Sequence, residues 1–175
     1  MRMDTTADLT AADILNWYSE TELAEIFLDF GEEPRAKLFA HCICMARKLG
    51  PLTTTKQLAE LIEANSPIIN ARRGGIYRHP ATRVFQALRI VVNDELSQIE
   101  KGLDAAFGVL QPTGIMIVIS FHALEDRIVK SFLARTARAV LSSWSAQPVL
   151  PTTVEVMENI RARSAKLRWL RKSGK

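Results

Sequence analysis

Within the stretch Ile119-Ser120-Phe121-His122-Ala123-Leu124-Glu125-Asp126-Arg127-Ile128-Val129-Lys130, an imidazole, two carboxylates and a guanidinium fall inside six residues, His122 to Arg127. The cluster follows the short apolar run Ile115 to Ile119 and leads into a helical pattern. In open α/β sheets, ligands sit outside the carboxyl ends of the strands, so a polar strand-to-helix junction is where chemistry or binding is expected. His122, Glu125 and Asp126 are the candidate catalytic residues. Each also has an ordinary structural reading. His122 can cap the helix or sit in a core. Glu125 and Asp126 stand at a helix start, where the dipole favours acids anyway. Phe121 can stack on a base or pack in a core. Arg127 can pair with its acidic neighbours or with a phosphate.

The elements around this junction follow from periodicity. The run Ile115–Ile119 is continuously apolar and β-branched, which predicts a buried parallel strand. Glu125 to about Val140 reads as the helix after it, Ser142 to Gln147 as a polar loop, Val149-Leu150 as a short strand, Thr153 to Met157 as a short helix and Ala165 to Leu170 as a final strand. Upstream, Val84, Leu88, Val91, Ile99, Leu103 and Phe107 form one stripe, which predicts a single long helical segment from about Ala81 to Leu110. That order is the closing half of a doubly wound, Rossmann-like sheet.

Residues 10–70 read as helices only. Thr10 suits an N-cap, and Ser19 with Glu22 forms a capping box before Leu23, Ile26, Phe27 and Phe30. Gly31 ends that helix, Pro34 starts the next, and Gly50-Pro51 ends it in turn; Thr53-Thr54-Thr55 caps a fourth with Leu58, Leu61 and Ile62. Asn65 to Pro80 is a linker in which Gly74 and Gly75 lie among Arg72, Arg73, Tyr77 and Arg78. Its glycines and arginines suit a phosphate backbone, or else a solvated connection.

The chain has 175 residues, 47% hydrophobic and 24% charged, ordinary values for a globular protein with one domain or two small ones. No apolar run is long enough for a membrane helix, and the polar, acidic start is unlike a signal peptide. Cys42 and Cys44, two apart in a helix, point to different faces; they read as packing residues of a reduced, cytoplasmic protein, and no metal site is expected. Net charge is +4, unevenly spread: residues 1–33 hold nine acids and one Arg, whereas residues 161–175 hold seven cations and no acid. The basic end fits a phosphate-backbone partner, or simply a solubilising tail.

Further strings make the chain recognisable. They are Met1-Arg2-Met3-Asp4, Tyr18-Ser19-Glu20 with Glu22-Leu23-Ala24, Gly31-Glu32-Glu33, His79-Pro80-Ala81-Thr82-Arg83, Phe85-Gln86-Ala87-Leu88-Arg89-Ile90, Val92-Asn93-Asp94-Glu95-Leu96, the Ser120–Lys130 segment, and Arg161-Ala162-Arg163-Ser164-Ala165-Lys166-Leu167-Arg168. In this order they resemble the ribosomal RNA small subunit methyltransferase H family, the MraW type. The resemblance implies transfer of a methyl group from S-adenosyl-L-methionine to the exocyclic amine of a cytosine in 16S rRNA, in the cytoplasm. It implies two parts, residues 1–78 as a helical insertion (RNA-substrate) domain with linker and residues 79–175 as the C-terminal half of the methyltransferase domain. It places His122 near the flipped cytosine, and His79, Thr82, Arg83, Arg89, Arg127, Arg161, Arg163, Lys166 and Arg168 toward RNA.

The family's glycine-rich cofactor loop, its acidic ribose contact and its Asp-Leu-Gly-x-Ser-Ser motif have no counterpart in this sequence. The resemblance therefore implies that cofactor contacts come mostly from a first third of the pattern that these residues do not cover. Departures from the usual pattern include Ala123 for Ser, Thr113 for Gly, Ile160 for Pro, Pro34-Arg35 for an Arg-Phe pair, and Leu38 and His41 at usually basic positions. Three readings stay open: a methyltransferase that needs the uncovered segment, a noncatalytic RNA-binding or assembly module, and a degenerate remnant. A strand edge left bare by the uncovered segment is expected to cause self-association.

Overall fold

The structure, a computed structural model, describes residues 1–66, 79–140 and 142–174. The arginine-rich linker residues 72–78 lie outside them. The chain forms two compact units, Met1–Glu95 and Leu96–Lys175.

The first unit holds helices α1 (Ala11–Trp17), α2 (Glu20–Asp29), α3 (Ala36–Ala46), α4 (Thr55–Ala64) and α5 (Thr82–Val92). Their starts are set by local chemistry. Thr10, Ser19 and Thr54 each accept the amide of the third helical residue, whose side chain returns to the cap backbone. The helices bury one stripe each around Ile14, Leu23, Phe27, Phe39, Ile43 and Leu88. Gly31 is where α2 and α5 come close. A Cβ there would stand 2.6 Å from the Phe27 carbonyl oxygen and 2.7 Å from that of Arg83, so only glycine fits without backbone movement.

The stripe that predicts one helix from Ala81 to Leu110 is split. Helix α5 stops at Val92, and α6 (Glu95–Val109) begins after Asp94, whose φ of 48° lies in the left-handed region. Asp is among the few non-glycine residues that adopt this backbone readily. Asn93 stabilises the break: its side-chain amide donates to the carbonyls of Arg89 and Met1, and its side-chain oxygen accepts the Met3 amide. The interior face of α5 belongs to the helical core, and the first compact unit runs through Glu95.

The second unit contains β1 (Ile115–Ser120), α7 (Ala123–Ala139), β2 (Ser143–Trp144), α8 (Thr153–Glu158), a 3₁₀ turn (Ile160–Ser164) and β3 (Lys166–Arg171). The sheet order is β1-β3-β2, and β3 runs antiparallel to both neighbours. This corrects the expectation of a buried parallel strand at Ile115–Ile119. Its only sheet neighbour among the described residues returns in the opposite direction, and its burial alternates. Met116 and Ser120 are buried, while Ile115, Ile117 and Ile119 are 47%, 61% and 54% exposed. Val129, Phe132, Leu133 and Ala137 of α7 pack with Met116 and Leu170 on the covered face. Because β1 and β2 are both antiparallel to β3, they run the same way, and β1–α7–β2 is a β–α–β unit with a reversed strand between its two strands. The polar stretch expected to be a loop from Ser142 contains β2. Val149 makes only a single bridge, to Leu167. The apolar stripe of α6 joins this core: Leu103 is buried, and Ile99 and Phe107 are partly buried against the same cluster.

Candidate functional site at the strand-to-helix junction

His122 is the N-cap of α7. Its Nδ1 accepts the Glu125 amide at 3.4 Å, and Glu125 reciprocates by accepting the amides of Phe121 at 2.7 Å and His122 at 3.2 Å. This is a capping box with imidazole in place of a hydroxyl. The ring's Nε2 lies 3.1 Å from Glu125 Oε1 but is misaligned for a hydrogen bond, so it is a buried nitrogen without a hydrogen-bond partner. Burial pushes the Glu125 carboxyl up, but the adjacent His122 ring and the two amides outweigh it and hold the pKa at about 2. Glu125 is thus an ionised carboxylate at neutral pH and too weak a base to take a proton efficiently.

Asp126 faces the other way, into the unit. Its oxygens accept Arg168 Nε at 2.7 Å, Arg168 Nη2 at 3.2 Å and Lys166 Nζ at 3.3 Å. The Arg168 side chain is only 4% exposed, and its remaining nitrogen donates to the carbonyls of Ser145 and Ala146 at 3.4 and 2.9 Å. Hydrogen bonds from the Arg168 guanidinium, with Lys166 adding to them, hold the Asp126 carboxyl below its usual range against the effect of burial. Alternation along the final strand puts Lys166 and Arg168 on one face, expected to meet RNA. They do share a face, but it is the face that packs on α7. This buried cluster ties α7, β3 and the segment after β2 into one body.

Arg127 is exposed on the first turn of α7, Phe121 is 54% exposed at the end of β1, and Arg161 and Arg163 are exposed on the 3₁₀ turn. In the first unit, His79 Nδ1 accepts the Ala81 amide, the Thr82 hydroxyl donates to the His79 carbonyl, and Arg83 donates to the Glu32 carbonyl. Arg89 makes a two-pronged pair with Glu95 at 2.6 and 3.0 Å, so its fork is already engaged. The carbonyls of Ser145 and Ala146, which complete the Arg168 site, carry no side-chain signal that a sequence could show.

A family model described as the MraW methylase family matches residues 1–173. Among curated relatives, ribosomal RNA small subunit methyltransferase H from Leptospira borgpetersenii serovar Hardjo-bovis is 46% identical over 174 residues, 99% of this chain and 54% of the relative. The same-named protein of Sulfurihydrogenibium sp. is 47% identical over 96% of this chain and 57% of its own length. That of Rippkaea orientalis is 50% identical over 96% of this chain and 53% of its own length. The chain therefore spans about half the length of these relatives. With the match running through both compact units and the whole strand-to-helix junction, the chain belongs to the MraW methylase family.

Proposed function

We propose that this chain forms part of an S-adenosyl-L-methionine-dependent methyltransferase acting on the exocyclic amine of a cytosine in 16S rRNA of the small ribosomal subunit. The observation that carries this reading is the family match across residues 1–173. The fold reading that accompanies it takes β1–α7–β2 as half of a doubly wound sheet and residues 1–78 as a helical insertion and linker that help hold RNA. A ribosomal substrate places the activity in the cytoplasm; no helix among the described residues is long and apolar enough to cross a membrane.

The described residues do not make a cradle for the cofactor. Glu125 accepts two amides on one oxygen with His122 Nε2 3.1 Å from the other, and Asp126 is occupied by Arg168 and Lys166, so neither offers a free two-oxygen fork to ribose hydroxyls. Cofactor contacts are assigned to polypeptide corresponding to the other half of the relatives. His122, Glu125 and Asp126 act as positioning residues: they fix the angle at which the chain leaves β1 and so present Phe121 and Arg127. The reaction needs the base out of its stack and the amine held in line with the methyl donor, and a rigid junction with an exposed aromatic serves that positioning.

The test uses small subunits that lack the modification, together with methyl-labelled S-adenosyl-L-methionine. The 175-residue chain alone is expected to transfer no label and to give no heat when titrated with the cofactor in a calorimeter. Adding the remaining half of a full-length relative as a separate polypeptide is expected to restore transfer to a cytosine. No transfer in either case, with no binding to small subunits, would reject the reading.

The same reading gives the free chain a liability. The outer edge of β1 is unpaired among the described residues, and three isoleucines stand on its open face. Such an edge templates pairing with another chain. The free chain is expected to sediment as concentration-dependent oligomers, and Ile117→Lys is expected to shift it toward monomer. A wild-type monomer at tens of micromolar with one sharp melt would contradict this.

A further inference from the structure

Helix α7 carries a feature that the junction does not use. Its inward residues are apolar and buried, whereas Arg127, Lys130, Arg135 and Arg138 all reach the surface. Its two acids are at the first turn, one in the capping box and the other under Arg168, so the outward side presents cations only. At 100° per residue, Arg127, Ser131, Ala134 and Arg138 fall on one line, with Lys130 and Arg135 on either side. The line runs for about 16 Å at 1.5 Å per residue, and the side chains at its middle, Ser131 and Ala134, are small. We propose that this ridge is a track for an RNA phosphate backbone, with the four cations as phosphate contacts and the small residues allowing close approach.

Charge complementarity selects the occupant. A row of cations along one helix face suits a polyanion. A membrane surface would need an apolar flank to insert, but the apolar side of α7 is buried against β1 and β3. Two acids of α6 border the ridge. Glu100, itself exposed, lines the same recess as Arg127, and Asp104 lies 4.0 Å from Arg135. Both side chains of the Asp104–Arg135 pair are about 70% exposed, so the pair is solvent-screened and a phosphate displaces it readily. Arg135 also lies over the Phe132 ring, which keeps its stem along the helix.

The inference rests on the proposed action on rRNA and extends it to Arg135 and Arg138, which the sequence motifs do not single out. The test is binding of the full 175-residue chain to a labelled single-stranded 16S rRNA fragment across a salt series, compared with Arg135→Gln/Arg138→Gln and Arg135→Lys/Arg138→Lys. The glutamine pair is expected to lower affinity at least about tenfold at about 0.1 M salt and to reduce the salt slope by about 1.4, two phosphates at about 0.7 each. The lysine pair is expected to restore most of both. RNA binding by wild type with affinity and slope unchanged in the glutamine pair would overturn the ridge and leave the proposed function standing. Absence of RNA binding by wild type would overturn both. Binding to anionic phospholipid vesicles in preference to RNA would also overturn the ridge.

Discussion

Asp126→Ala is expected to cost the second unit about 3–5 kcal/mol, enough to unfold a marginal domain. The loss comes less from the missing attraction than from what stays behind. Arg168 is 4% exposed at its side chain and cannot shed its charge, so without Asp126 it is a buried cation with only two carbonyls for company. Replacing both partners by apolar residues of similar size, Asp126→Leu with Arg168→Met, is expected to recover much of the loss, because the pair itself contributes little beyond its own desolvation. Tryptophan fluorescence during urea unfolding reads this out, since Trp144 and Trp169 lie partly buried in the second unit while Trp17 of the first is 81% exposed. A single-variant loss below about 1 kcal/mol would mean that water reaches Arg168 and that the cluster is a surface pair.

Acid is expected to undo the α7 cap. The folded Glu125 carboxyl titrates at about 2, against 4.5 for an unperturbed one. A depressed folded value means that the contribution is complete above about pH 4.5 and is lost as pH falls toward 2. A tenfold difference in proton affinity is worth roughly 1.4 kcal/mol, which gives an upper bound of about 3 kcal/mol. Solvent reaches part of this carboxylate and screens it, so about 1–2 kcal/mol is expected in practice. Asp126, also lowered, adds in the same direction. Denaturant stability measured from about pH 6 down to about pH 3 should therefore fall, and Glu125→Gln should start lower and fall less steeply. Equal slopes for the variant and the wild type would show that Glu125 does not carry the linkage.

What was legible in the sequence was local. Thr10, Ser19 and Thr54 announce their helices because a cap bonds only three residues ahead, and all three do so. His122 was readable as either a site residue or a cap, and the geometry places it at the cap. Strand direction was not legible: Ile115–Ile119 has the composition of a parallel strand, but direction is set by the partner, β3, which lies far along the chain. The break at Asn93-Asp94 escaped because apolar residues recur at helical spacing on both sides of it, and a single left-handed residue leaves no mark on local spacing. Arg168 escaped because residue type argues for the surface, while its counter-ion is 42 positions earlier. Two-residue β2 is too short to show alternation at all.

The reversed strand also sets a pace. β3 is the middle strand of its sheet, and its nearest β1 partner is 46 residues away in sequence. Helix α7 can form within microseconds from its own capping box and apolar stripe, but the sheet must first close that loop. Loop closure costs entropy before any pairing repays it, so the second unit is expected to fold at the slow, non-local end of the range, while the helical first unit folds at the fast end. Until β3 docks, Asp126 has no counter-ion, and both edges of β1 are bare. The interval between helix formation and strand closure is therefore when this chain is most exposed to capture by another copy of itself.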